Sequence, residues 1–295
     1  MKASEQKKLS ISIVNYNSGD YLLECLKSLD KVKSEVRFDV WIADNNSSDD
    51  SLNQAKKKFP YFHYIENTEN LGFAKANNQI LKQIETPYVL FLNHDTKVLP
   101  KTLKRMVSFM DNNLKVGASS CLVEKADGSL DLASHRSFPT PWVSFKYYVL
   151  KDDTLYHQTF KDMTKPHVVD AIVGAFFLTR KKILDEVGFF DEDYFLYAED
   201  IDLCFRIKKA GYKIFYVPDV KIIHMKGVSS GIKSHSQDVS SASKEIKIKS
   251  LNSFYQTMII FYRKNLAASY PFFINWLVYL GIYLKWFLAR RKLIV

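Results

Sequence analysis

Residues 88–97 read Tyr-Val-Leu-Phe-Leu-Asn-His-Asp-Thr-Lys. Five apolar or aromatic residues in succession predict a strand buried on both faces. Asn93, His94 and Asp95 follow directly, at the end of that strand, which is where open α/β sheets place their ligands. A carboxylate there, beside small polar residues, suits a divalent cation that holds a diphosphate. Taken alone the stretch also reads as a common polar turn, so the flanking sequence decides.

Toward the N-terminus the pattern repeats. Leu9–Val14 reads as a strand ending in a polar loop that contains Asn15, Tyr16 and Asn17, and Tyr21–Leu29 has helical spacing. Phe38–Ala43 is a second strand with Asp44 at its tip. Ser47 and Asp50 then read as a capping box for a helix running to Phe59. Capping leaves Asp44 over, placed to accept from a pyrimidine N–H or a ribose hydroxyl. Phe62–Glu66 is a third strand. In the loop after it, Gly72 permits close backbone approach, and Asn70, Lys75 and Asn77 can reach phosphate or sugar oxygens. A plain turn with an Asn cap explains the same residues. The loop is neither a Walker nor a Rossmann glycine loop, so ATP and NAD are not indicated. Three βα units in succession predict a right-handed, parallel, doubly wound sheet.

Beyond the central strand, Pro100–Asp111 reads as an amphipathic helix, Val116–Val123 as a strand and Asp127-Gly128-Ser129 as a hairpin turn. Residues 134–165 have weak periodicity and are expected to form a variable loop over the active face. His135, His157 and His167 lack metal-ligand spacing and are expected to face solvent. Val168–Thr179 reads as one apolar strand in which Gly174 and Ala175 leave room for a sugar ring or another backbone. Glu199, Asp200 and Asp202 then open a helix behind an aromatic run that ends at Tyr197. The helix dipole accounts for acids there, but not for the aromatics. A carboxylate in apolar surroundings acquires the raised pKa that suits a general base. Tyr212–Val217 is a further strand, and His224 follows on a loop, as a structural histidine or as one that returns to the metal.

The length of 295 residues accommodates one large α/β domain or two smaller ones. Cys25, Cys121 and Cys204 are scattered, which fits a reduced cytosolic compartment and argues against structural zinc. Residues 1–8 show no apolar signal segment. The net charge of +10 is uneven: residues 207–295 hold 15 Lys+Arg against 3 Asp+Glu, and residues 1–206 hold 27 against 29. That basic third is also rich in aromatics, which favours an anionic membrane surface over nucleic acid. Lys244–Tyr262 reads as a helix packing on the domain. Leu266–Leu284 carries no charge and as a helix would reach roughly 28 Å. Its Pro271, Asn275, Gly281, Tyr and Trp residues favour an anchor lying in the membrane interface, with a span or an ordinary packed helix as alternatives.

Together these stretches resemble the family-two glycosyltransferases of the GT-A fold, in particular the rhamnosyltransferase-like members that build bacterial surface polysaccharides. The signposts are Ser12–Asn17, Asp44–Asp49, Asn70–Ala74, Asn93-His94-Asp95, Gly174-Ala175-Phe176 and Tyr197–Leu203, in family order from about Leu9 to about Ser230. The resemblance implies a Rossmann-like, mostly parallel sheet flanked by helices. Its nucleotide-sugar half would be residues 9–98 and its acceptor half 99–232, with membrane-associating helices over 244–295. It implies inverting transfer of a sugar, foremost L-rhamnose from dTDP-rhamnose, onto a glycan or a polyprenyl-diphosphate-linked acceptor at the inner face of the cytoplasmic membrane. A homodimer is compatible with it.

Position by position, Asp44 would read the base, Asp95 would be the last carboxylate of the Asp-x-Asp motif on Mg2+ or Mn2+, and His224 a further metal ligand. Asp200, paired with Glu199, would be the general base. Asn15, Tyr16, Asn17, Asn70, Gly72, Phe73, Lys75, Asn77, Asn93, His94, Gly174 and Ala175 would surround the donor. The sequence departs from the family at Asn93, in place of the first Asp, and at His94, where relatives carry Pro. A UDP-linked donor (galactofuranose, glucose or N-acetylglucosamine) and a non-catalytic sugar-nucleotide-binding component of an assembly complex are the rival readings. A nucleic-acid binder would need its cations and aromatics interleaved along a groove.

Overall fold

Residues 7–225 and 244–294 are described by the computed structural model, and within them nine strands form one sheet. The far end of the resemblance, residues 226–232, lies outside them. In chain order the elements are β1 (Leu9–Asn15), α1 (Tyr21–Val32), β2 (Phe38–Asp44), α2 (Ser51–Lys58), β3 (His63–Glu66), α3 (Gly72–Leu81), β4 (Tyr88–Leu92), β5 (Thr96–Val98), α4 (Thr102–Asn112) and β6 (Val116–Lys125). They continue with α5 (Pro141–Tyr148), α6 (Thr154–His157), β7 (His167–Val169), β8 (Phe176–Arg180), α7 (Lys181–Val187), α8 (Glu199–Lys209), β9 (Lys213–His224), α9 (Lys244–Phe261) and α10 (Phe272–Ile294).

The sheet order is β3-β2-β1-β4-β8-β6-β9-β5, with β7 alongside β9. The first four strands are parallel, as the three βα units require. All five residues of β4 are buried, and its alternation feeds two cores. Leu90 and Leu92 join α1 and α4 on one face, while Val89 and Phe91 join α3 and α8 on the other. Each such side chain contributes about 1.5–3 kcal/mol on burial, so the uninterrupted apolar run is what a central strand needs. Strand β8 enters antiparallel between β4 and β6. One sheet therefore passes through both expected halves of the chain.

Several expectations are corrected. Val168–Thr179 is two strands: β7 pairs with β9, whereas β8 pairs with β4 and β6, and the chain turns between them. Strand β9 does not stop at Val217. Its register with β6 jumps from Val217 to Lys221 across Pro218, which has no N–H to give the ladder, and then resumes. His224 is thus the last residue of a strand and not part of a loop, opposite Thr96 of the unforeseen strand β5. The capping box fails: α2 starts at Ser51, Asp50 makes no side-chain cap, and Ser47 bonds to Asp44 instead. Residues 134–165 contain α5, whose start is set by the Thr140 cap and Pro141, and α6. His135 is fully buried against Tyr216, with Nε2 2.5 Å from His167 Nε2 and Nδ1 donating to His157 O (2.6 Å). His157 and His167 are half-buried, so none of the three is a freely solvated side chain.

The C-terminal arm also differs from expectation. Its last helix begins at Phe272, after Pro271, and not at Leu266. A wide π-helical turn (Tyr262–Leu266) followed by a 3-10 turn (Ala267–Ser269) makes the corner between α9 and α10. The two helices fold back on each other: Tyr262 meets Tyr279 and donates to Asn275 Oδ1 (2.7 Å), and Tyr255 stacks on Trp286. Helix α9 docks on the body through Phe261, against Phe138 and Phe205, and through Ser253 Oγ, which donates to Leu196 O (3.2 Å).

Candidate active site

A cavity of about 1050 Å3 opens over the carboxyl ends of β1 and β4. Of the residues singled out in the sequence, Tyr16, Asn70, Gly72, Phe73, Asn93, His94, Asp95, Gly174, Ala175, Glu199, Asp200 and His224 line it. Asn15, Asn17, Asp44, Lys75 and Asn77 are not on its wall.

The five absentees have structural duties or point away. Asp44, 3% exposed, accepts from Asn15 Nδ2 (2.7 Å) and Ser47 Oγ (2.7 Å) on one oxygen and from Ser47 N (2.9 Å) on the other. Its carboxylate is held by its own loop. Asn17 Oδ1 accepts from Ser48 N (2.7 Å), which ties the β1 loop to the β2 loop. Asn77 accepts from Ser12 Oγ (2.6 Å) and donates to Phe73 O (3.0 Å). Lys75 is exposed on α3. What these bonds present to the cavity is Tyr16 and Asn45, the latter held by its own bond to Gly72 O (3.0 Å).

Gly72 has φ +81°, and a Cβ there would lie 2.3 Å from Phe195 O. The close approach that requires glycine is therefore made by the Phe195 backbone, and Phe73 N donates to the same oxygen (2.8 Å). At Gly174 it is the Phe73 ring that occupies the space, 3.2 Å from where a Cβ would stand.

One corner of the cavity gathers Asp95 and His224. The β5–β9 ladder brings them together, with Asp95 Oδ1 3.1 Å from His224 Nε2 and Asn93 Nδ2 3.3 Å from the same nitrogen. Asp131, which the sequence reading passed over, lies behind them with Oδ2 3.6 Å from His224 Nδ1. Burial raises the Asp95 pKa, but the His224 charge and hydrogen bond override it and hold the carboxyl at about 2. Burial likewise lowers His224, and the attraction of Asp95 and the Asp131 contact outweigh it, carrying the imidazole up to about 9. His94 Nδ1 donates to Val14 O (3.0 Å), and its Nε2 is buried without a protein partner. Among the described residues no three His, Cys, Asp or Glu side chains converge as a closed cage. A carboxylate and an imidazole on an open wall fit a cation that would displace the extra proton of His224 and complete its shell with substrate oxygens.

The opposite wall carries the acid pair at the start of α8. Tyr197 (φ 76°) and Ala198 (φ 64°) are both left-handed, which swings Glu199 and Asp200 into the cavity. Asp200 Oδ2 accepts from Gly174 N (3.2 Å) and from Arg136 Nη2 (3.3 Å), and Oδ1 accepts from Ile201 N (2.7 Å). Glu199 is buried, and its Oε2 has no partner. Desolvation, and then repulsion from Asp200, push Glu199 up to about 8. The raised pKa expected of an acid in this setting is found at Glu199, while Arg136 stands against Asp200. Asp202 is buried away from the cavity, on Arg206 Nε (2.8 Å) and Asn265 Nδ2 (2.8 Å). One loop joins the two walls: Ala175 O accepts from Asn93 N (3.4 Å) while Gly174 N donates to Asp200. Asp95 and Asp200 therefore share one cleft.

With this geometry in hand, residues 10–188 match the family described as Glycosyl transferase family 2. An N-acetylglucosaminyl-diphospho-decaprenol L-rhamnosyltransferase of Mycobacterium tuberculosis is 28% identical over 241 residues, or 76% of this chain and 78% of the relative. Rhamnosyltransferase WbbL of Escherichia coli is 29% identical over 224 residues, covering 72% of this chain and 82% of the relative. A mannosyltransferase of Pyrobaculum calidifontis, solved with GDP-Man and Mn2+, superposes with a TM-score of 0.56 at 18% identity, over 86% of this chain and 63% of that one. TarS of S. aureus, residues 1–349, does so with a TM-score of 0.53 at 20% identity, over 87% and 72%. The architecture is the GT-A fold.

Proposed function

This chain belongs to glycosyl transferase family 2 and is a glycosyltransferase, and on that premise we propose that it moves L-rhamnose from dTDP-rhamnose, with inversion, onto a sugar carried on a polyprenyl diphosphate. The observation that carries this reading is the single cleft in which the Asp95–His224 corner faces the Glu199–Asp200 pair. The Mycobacterium tuberculosis relative is named for L-rhamnosyl transfer and an N-acetylglucosaminyl-diphospho-decaprenol, and both come to this chain as part of the proposal.

In this reading Asp95 and His224 hold a divalent cation, which when bound neutralises charge developing on the leaving diphosphate. Tyr16, Asn45, Asn70 and Phe73 border the nucleotide, and Asp44 acts by fixing the loop that presents them. Asp200 takes the proton of the acceptor hydroxyl. Its two backbone N–H donors and Arg136 hold the carboxylate in place on the cavity wall. Glu199, holding its own proton at neutral pH, keeps a second negative charge out of the site. The protein would work on the cytoplasmic side of the membrane, attached through α10. Residues 272–292 are long and apolar enough to cross a bilayer, with mean hydropathy 1.5 and 6% burial. Yet one face, with Phe273, Trp276, Leu280 and Tyr283, is exposed while the other packs on α9, which supports an anchor lying in the interface.

The test is a panel of nucleotide sugars with a polyprenyl-diphosphate-linked acceptor, with and without EDTA. Turnover is expected with dTDP-rhamnose, lost in EDTA and restored by Mg2+ or Mn2+. Turnover confined to a UDP-sugar would replace the donor, and nucleotide binding without turnover on any donor would favour the non-catalytic reading.

A further inference from the structure

The cavity does not end at the acid pair. It continues between α5 on one side and α9 and α10 on the other, where Phe145, Val149, Phe254, Met258, Leu277 and Ile282 form its walls. Both lips of this passage are apolar on their outer side as well: Trp142, Val149 and Leu150 on or just after α5, and Leu277 and Leu284 on α10, are more than half exposed. An apolar path thus leads from the outer surface of the arm to the neighbourhood of Asp200. Lys285 bridges the lips, its ammonium 4.0 Å from the Tyr148 ring centroid. Burial, and then Lys151, lower its pKa, and no carboxylate offsets them among the described residues. A half-buried cation on an apolar wall, with the Tyr148 ring and no carboxylate beside it, is placed to receive an anion from outside.

Building on the proposed transfer to a lipid-linked acceptor, we propose that the passage between α5 and the α9–α10 arm holds the isoprenoid chain of that acceptor, with Lys285 against its diphosphate. The branched, uncharged chain needs apolar contact along its length. Its diphosphate adds the only negative charge, and it lies one sugar away from the hydroxyl that faces Asp200. A lipid arriving from a bilayer in contact with α10 enters without crossing water. A soluble glycan would gain nothing from such walls.

Gly281 supplies the test. It lies on the passage wall, and a Cβ there meets nothing within 4 Å. Gly281→Phe therefore adds a ring to the passage wall at a position with room for its Cβ, and replaces a poor helix former. The probe is decaprenyl diphosphate without any sugar, in detergent micelles, read by quenching of tryptophan fluorescence. Wild type is expected to bind it. Gly281→Phe should weaken binding at least about tenfold, and Lys285→Gln should also weaken it, while nucleotide binding stays unchanged. With the head group N-acetylglucosaminyl diphosphate, KM should rise in Gly281→Phe for a decaprenyl carrier but not for a two-isoprene carrier. Equal binding by wild type and Gly281→Phe overturns the passage. Tail-dependent binding without rhamnosyl transfer to any lipid-linked acceptor upholds the passage and removes the proposed transfer. Transfer that ignores both chain length and the added ring does the reverse.

Discussion

Replacing Asp200 by Asn separates catalysis from binding, provided a second effect is removed. Asparagine keeps the volume but only one acceptor oxygen, so either the Gly174 N–H (on Oδ2) or the Ile201 N–H (on Oδ1) loses its acceptor, and it takes no proton from an acceptor hydroxyl. Loss of a general base costs about 10²–10⁴-fold in turnover, about 3–5 kcal/mol of barrier. The same change strips Arg136 of its anion. That pair is buried, with side chains 14% and 11% exposed, and breaking such a pair from one side costs about 3–5 kcal/mol of stability. Arg136 also interacts with Tyr156, which moderates the loss. The informative comparison is therefore Asp200→Asn against Arg136→Met with Asp200→Asn, in which no charge is left unpaired. The assays are kcat and KM, nucleotide affinity by calorimetry, and a thermal melt. Asp200→Asn should melt below wild type and the double variant should recover part of the loss, while both lose at least about a hundredfold in kcat and bind nucleotide as wild type does. A folded Asp200→Asn enzyme with near wild-type kcat would refute the assignment and move the base to Glu199.

Three further outcomes are expected. Glu199, raised from 4.5 to about 8, holds in the folded chain a proton that the unfolded chain has released. Its contribution to stability is complete below about pH 4.5 and is lost as pH rises through about 8, so the melting temperature of Glu199→Gln relative to wild type should climb over that window. Gly72→Ala places a Cβ 2.3 Å from Phe195 O at φ +81°. The backbone cost of about 1–2 kcal/mol plus the overlap should lower the urea midpoint and, through the Phe195–Ala198 segment, kcat; an unchanged midpoint would contradict the packing. Asp95→Ala leaves His224 facing Asp131 without its other carboxylate; calorimetry should find that Mn2+ no longer strengthens nucleotide binding, whereas metal-free binding is retained.

The first half of the fold was legible because its information is local. Strands β1 to β4 are apolar runs, each ends in a polar loop, and parallel neighbours follow from the βα order. The second half depends on pairings that periodicity does not carry. Nothing in Val168–Thr179 announces that its two ends serve different strands, and Thr96–Val98 is too short to stand out before β9 pairs with it. At the site, Asp95, Asp200 and His224 were found because they end strands or open a helix behind an apolar run. Asp131 and Arg136 were missed because they lie in a stretch without periodicity, where a charged residue looks like solvent-facing loop. The one available signal was their position just after the β6 hairpin turn. Ser47 was misread because the cap rule counts only helix positions, and Asp44 offered its hydroxyl a better acceptor.

The order of strands also has a bearing on synthesis at the ribosome. Strands β1 to β4 pair within residues 9–92, so that portion closes on itself early, from contacts of modest sequence separation. Asn93 and His224 are 131 positions apart, and the acid pair at Glu199–Asp200 emerges only shortly before His224. A nascent chain can therefore pair β1 to β4 long before the residues of the opposite wall have been made. The cleft is completed in one late event, when β9 comes in beside β5 and β6.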